Sequence, residues 1–181
     1  MKSLEDFAMP LEIQKLVEGE FKPCKFPTKA YGVDKSLPED GKDLKGQYGM
    51  DSTHSCDYML INDSNVLLLE DSNIRKKKED LEEEYSEELS IRIIGKEQLL
   101  KAYASLLLLC RISSSDRTTR RLIKGKTVSF CVVCSDVERK DFRVLWRIEG
   151  YLKEPLRNLV SEVHVLPLSG VKGLTADYPG I

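Results

Sequence analysis

Cys56-Asp57-Tyr58-Met59-Leu60-Ile61, Asn62-Asp63-Ser64-Asn65, Val66-Leu67-Leu68-Leu69-Glu70: the reading of this run decides the fold. Strand-forming residues flank four consecutive turn formers, so the run reads as a β-hairpin. Both strands are apolar on both faces, which places the hairpin at the centre of a sheet covered on both sides. Whether the loop has two residues or four, the turn is centred between Asp63 and Ser64. Ile61 then pairs with Val66, Met59 with Leu68 and Asp57 with Glu70. Side chains alternate, so Asp57, Glu70 and Ser72 share one face at one end of the hairpin. Directly opposed residues have Cβ atoms roughly 4.5–5.5 Å apart, and like charges there are destabilising. Two carboxylates so placed need a reason. A hard divalent cation such as Mg²⁺, which takes one or two carboxylates plus waters and phosphate oxygens, is the simplest one.

Working outward, residues 3–18 read as a short helix: Ser3 can cap it, Glu5 and Asp6 favour its first turn, and Pro10 splits it. Residues 20–53 are polar, rich in Gly, Pro and Lys, and read as a long irregular segment. The charged stretch 75–88 reads as a solvated helix or loop. Residues 96–112, opened by Gly95, have the length and Leu/Ala content of a buried helix. Residues 127–135 read as a strand, residues 141–158 as a helix or helix pair broken at Pro155, and residues 160–168 as a last strand. The expected architecture is α/β, a mixed sheet with a central hairpin and helices on both faces. It forms one domain over 1–168, followed by a tail over 169–181.

The order of elements, with Asp57 on one strand and Glu70 on the next, resembles the PD-(D/E)XK nuclease superfamily and its restriction-endonuclease-like fold. The resemblance covers roughly residues 55–135. The family motif continues (Asp/Glu)-X-Lys, whereas this chain reads Glu70-Asp71-Ser72, with serine at the lysine position. The resemblance implies metal-assisted phosphodiester hydrolysis, with Asp57 and Glu70 holding Mg²⁺. It implies a catalytic lysine supplied from elsewhere, for which Lys76, Lys77, Lys78 and Lys101 are candidates. A glutamate from an amphipathic first helix is also implied, with Glu12, Glu18 and Glu20 as candidates. Residues 111–126 carry Arg111, Arg117, Arg120, Arg121, Lys124 and Lys126 against the single acid Asp116. That stretch would contact the phosphates of DNA or RNA. Its bland alternative is ion pairing with the acidic run 79–88. A rival reading of the whole chain is a non-catalytic module that docks on a protein partner through 75–88 and 20–53.

Composition supplies the limits. The formal net charge of −2 gives no global pull toward nucleic acid or anionic membrane, so any such binding uses a local patch. Five cysteines and no apolar leader predict free thiols in a cytoplasmic protein. The apolar run 104–110 is too short to span a bilayer. Cys131 and Cys134 have CxxC spacing, yet residues three apart in a strand face opposite ways, which predicts core thiols. His54 and Cys56, with Cys24 upstream, lack the partners of a zinc site. Phe142 and Trp146, four apart on a helix, are expected in the core.

Overall fold

The hairpin forms with the expected register: Ile61 pairs with Val66, Met59 with Leu68, and Tyr58 with Leu69 is the last pair before Asp57. The computed structural model describes residues 3–35 and 43–180, and around the hairpin these build an α/β fold on one six-stranded mixed sheet. Its strands, neighbours in chain order, are β1 (Ala8–Val17), β2 (Glu20–Gly32), β3 (Tyr58–Ile61), β4 (Asn65–Ser72), β5 (Thr127–Cys134) and β6 (Glu162–Pro167). Strands β1 to β4 are antiparallel; β4, β5 and β6 run parallel. The helices are α1 (Leu44–Gln47), α2 (Ile74–Glu82), α3 (Glu87–Ser115), α4 (Arg117–Ile123), α5 (Phe142–Leu156) and α6 (Val171–Leu174).

Alternation divides the sheet into two apolar faces. Met59, Ile61, Val66, Leu68, Phe130, Val132, Val163 and Val165 pack with Ile91, Ile94, Leu108 and Ile112 of α3 and Leu145, Ile148 and Leu152 of α5. Tyr58, Leu60, Leu67, Leu69, Cys131 and Val133 form the other face. Long helices cover only the first. The second is covered by Leu11 and Ile13 of β1 and by Val171, Leu168 and Leu174 near the C-terminus. Strand β1 lies three places from β4 in the sheet, yet Gln14 N–H donates to Asp71 Oδ2 at 2.8 Å. The Tyr58 hydroxyl donates to the Glu12 carbonyl at 2.7 Å. The β1–β2 hairpin therefore folds over the far face and takes the place of the expected second helical layer.

Residues 8–17 are thus a strand rather than a helix. Leu11 and Ile13 are buried while the alternating Glu12 and Gln14 are not, a period of two. Glu18 and Gly19, both at positive φ (54° and 82°), make the two-residue turn that carries the chain back. Much of 20–53 is correspondingly ordered as β2; residues 36–42 of that segment lie outside the described residues. The segment 169–180 is no tail either. Val171 is fully buried, Lys29 N–H donates to the Pro179 carbonyl at 2.8 Å, and Thr28 bridges to Gly180. Helix α3 begins nine residues earlier than the sequence pattern suggested, capped by Ser86, and runs through Gly95. Pro155 sits in the last turn of α5 without breaking it. Trp146, expected in the core, is 71% exposed.

Cys131 and Cys134 are buried free thiols pointing to opposite faces, and burial raises both above the ordinary thiol range. The last strand, β6, has one N–H, that of Val165, donating to Glu149 Oε2 of α5 at 3.0 Å. No helix among the described residues is long and apolar enough to cross a membrane.

Two mid-helix glycines differ in what surrounds them. A Cβ on Gly95 would stand 2.6 Å from Cδ1 of Tyr151, so α3 and α5 approach closely only because that position is bare. A Cβ on Gly150 would meet nothing within 4 Å. Gly95→Ala is expected to destabilise by about 1–3 kcal/mol through overpacking. Gly150→Ala should stabilise by up to about 1 kcal/mol through helix propensity. Urea unfolding of the two variants checks the contrast.

Candidate functional site

Asp57 immediately precedes β3, and its carbonyl accepts from the Val33 and Asp34 N–H groups, which holds it against the end of β2. Its side chain turns back to β4, where Asp71 N–H donates to Asp57 Oδ2 at 2.8 Å. Glu70, in β4, is 1% exposed and faces α3. There the Lys101 ammonium donates to Glu70 Oε1 in a short, charge-assisted hydrogen bond. The other oxygen, Oε2, is buried and has no partner.

Helix α3 reaches this end of the sheet with three polar residues on one side, spaced three and four apart. Gln98 Nε2 donates to Ser72 Oγ at 3.3 Å, Lys101 meets Glu70, and Ser105 Oγ accepts the Cys56 N–H at 2.8 Å. Gln98 is fully buried, and its Oε1 is unpartnered. Ser72 is therefore used to fix the helix that carries Lys101. Of the four lysines considered from sequence, Lys101 reaches the carboxylate. Lys77 stands farther out, paired with Glu97 at 2.5 Å, and adds to the positive field at Glu70. Lys76 is exposed, and it is its backbone N–H that is held, by Asp136 at 2.9 Å. Lys78 pairs with Glu82 at 2.8 Å on α2. Sequence reading missed Lys35, whose ammonium lies 3.6 Å from Asp57 Oδ1. It missed Gln98 as well. The expected glutamate from a first helix is absent, because that segment is β1: Glu12 and Glu20 sit near Lys25 and Lys22, at 3.8 and 3.9 Å, and Glu18 is in the turn.

The electrostatics are those of buried acids held together. Burial, with the Asp57 charge added, pushes Glu70 up to about 8, against the opposing pull of Lys101. Burial also raises Asp57, opposed by Lys35 and by the Asp71 N–H. Lys101 is lowered by burial and raised more by Glu70, so it stays charged. Among the described residues no group of three or more His, Cys, Asp and Glu side chains converges to hold a metal. The donor set at this point is two carboxylates, one with a buried free oxygen. That set fits Mg²⁺, a hard ion completed by waters and phosphate oxygens, and does not fit zinc.

The basic stretch stands at the other end of the hairpin. Lys126 Nζ donates to the Asn62 and Asp63 carbonyls of the turn, both at 2.7 Å. Along β4 the turn is about 17 Å from Glu70. Arg120 caps α3 through the Ser113 and Ser114 carbonyls. Arg111, Arg117, Arg121 and Lys124 make no ion pair among the described residues, and the acidic run 79–88 pairs instead with Arg75, Lys78, Arg92 and Arg147. The alternative of pairing between the two charged stretches is not seen among the described residues. Comparisons with protein-family models, curated proteins and solved structures find no match to this chain.

The raised Glu70 gives a pH-dependent stability whose sign can be stated. The folded chain keeps the Glu70 proton at pH values where the unfolded chain, at 4.5, has released it. Its contribution is greatest below pH 4.5 and declines as pH rises toward about 8. Relative to Glu70→Gln, the wild type should lose on the order of 3 kcal/mol between pH 5 and pH 8.5, as read by urea unfolding at each pH.

Proposed function

We propose that this chain is a divalent-metal-dependent nuclease of the PD-(D/E)XK kind on a restriction-endonuclease-like core, in which Lys101 of α3 replaces the motif lysine. The observation that carries this reading is Glu70, a buried carboxylate with Lys101 on one oxygen and no partner on the other. An unsatisfied buried carboxylate oxygen is costly, and it is expected where a ligand completes it. Asp57 and Glu70 would hold Mg²⁺. The chemistry that a bound Mg²⁺ supplies is polarisation of a phosphoryl oxygen and acidification of a water.

The protein's own groups divide the remaining work. Lys101 has three N–H donors, one of them engaged by Glu70; the others suit a water or a non-bridging phosphate oxygen. Its charge, desolvated against the sheet, stabilises negative charge that develops on the phosphoryl group. Glu70 Oε2 accepts once its proton is lost, so binding of a cation there is coupled to release of that proton. Lys35 beside Asp57 adds a second cation at the rim. With Mg²⁺ the purified protein should cleave DNA or RNA, and chelation should stop it. Asp57→Asn and Lys101→Ala should each lower the rate by about 10²–10³-fold in the fraction that circular dichroism shows to be folded. Absence of cleavage of plasmid, single-stranded DNA and RNA across pH 6–9 with Mg²⁺ or Mn²⁺ would refute the enzyme reading.

Arg111, Arg117, Arg121 and Lys124 are the cations of the basic stretch best suited to carry nucleic-acid backbone contacts; Arg120 and Lys126 are held by carbonyls. Replacing Arg117, Arg121 and Lys124 by alanine should reduce the slope of log affinity against log salt by up to about 3 on duplex DNA. Anisotropy titrations between low and moderate salt measure it.

A further inference from the structure

The single tryptophan of the chain, Trp146, stands on the outer face of α5 with 71% of its surface exposed. Arg143, Trp146, Gly150, Lys153 and Arg157, all exposed, follow at helical spacing and form one stripe. The stripe is about 21 Å long, the rise of about six stacked nucleotides. Gly150 lies one turn after Trp146, where a side chain would border the indole. Packing gives no reason for glycine there, since a Cβ would meet nothing within 4 Å, and glycine weakens the helix. Gly95, the other mid-helix glycine, is required by Tyr151. The bare position leaves the indole open on that side.

Its neighbours indicate what could lie against it. A protein-docking tryptophan sits within a ring of contacts that exclude water. Here the stripe neighbours are cations and a glycine. Glu149 is engaged with Lys153 at 2.5 Å and with the Val165 N–H, and Glu154 with Arg157 at 3.0 Å. Arg139 and Arg143 have no ion pair among the described residues. An open aromatic face between cations matches bases that stack and phosphates that pair. Bases within a duplex have their faces covered, so the ligand must be unpaired. The first turns of α5 follow β5, at the same end of the parallel strands as Glu70 and Ser72.

We propose that the outer face of α5 is a stacking platform for single-stranded nucleic acid, with Trp146 receiving a base and Arg143 the backbone, joined by Lys153 and Arg157 as phosphates displace their weak surface pairs with Glu149 and Glu154. The proposal takes its ligand class from the nuclease reading and adds the form of the substrate.

One tryptophan makes the test direct. The protein, in EDTA so that nothing is cut, is titrated with a 15-nucleotide oligothymidylate, a 15-nucleotide oligouridylate and a 15-base-pair duplex. Intrinsic fluorescence reports on Trp146, and anisotropy of labelled probes reports binding. Binding of a single strand should quench the indole. Trp146→Ala and Gly150→Glu, both at exposed helix positions, should weaken single-strand binding by about 5- to 100-fold and leave duplex affinity unchanged. Trp146→Phe should retain part of the binding. Single-strand binding without quenching, or unchanged in Trp146→Ala, overturns the platform alone, while Mg²⁺-dependent cleavage can still stand. Quenching without any cleavage supports the platform and counts against the nuclease. A dimer in sedimentation that Trp146→Ala dissolves overturns the proposal in favour of self-association, and no binding of any probe overturns both readings.

Discussion

A carboxylate buried between an apolar sheet and an apolar helix constrains everything around it. Glu70 belongs to the same face as Val66 and Leu68, an otherwise apolar stretch of β4. Ionised there, it calls for a counter-charge that reaches inward, and a long side chain on the covering helix can supply it. Helix α3 meets the requirement with Lys101. It secures its own position with Gln98 on Ser72 and Ser105 on the Cys56 N–H, on either side of the ammonium. The crossing of α3 over β3 and β4 is therefore set by hydrogen bonds as well as by packing. Non-directional apolar contacts alone would tolerate sliding; a lysine matched to one carboxylate oxygen does not.

The division of the sheet into two faces gives adjacent residues separate tasks. Glu70 faces the helices and carries the candidate chemistry. Asp71 faces away and accepts the Gln14 N–H, anchoring the N-terminal hairpin over the second face. Burial raises Asp71 as well, to about 6, so the two acids in sequence are both held out of water by different layers. Asp57 links them, accepting the Asp71 N–H while adding its charge at Glu70.

The central hairpin was legible because its pattern is local: two apolar runs, a turn, and a period of two that puts Asp57 and Glu70 on one side. Strand β5 and helix α3 were legible for the same reason. The N-terminal hairpin was not. Pro10 and the acids near Ser3 imitate helix signals, and the Glu18-Gly19 turn that decides for strands is only two residues long. Its partner surface, Tyr58 and Asp71, lies some forty to sixty residues away, where no window of sequence can see it. Lys101 was one lysine among several until the helix was laid on the sheet, since nothing local separates it from Lys76 or Lys78. Gln98 gave no signal, as glutamine is ordinary on a helix until its neighbours are known. Trp146 was misread by the general rule that large aromatic residues seek the interior; its position on α5 points away from the sheet.

Strand β6 closes the sheet on one side, and a terminal strand with free N–H groups is a template for another chain. Glu149 reaches over from α5 and takes the Val165 N–H for itself. A strand approaching that border would find a donor already engaged and a carboxylate in its way. The side chain thus works as a guard against runaway sheet growth, keeping a chain with long apolar strands from joining to its neighbours edge to edge.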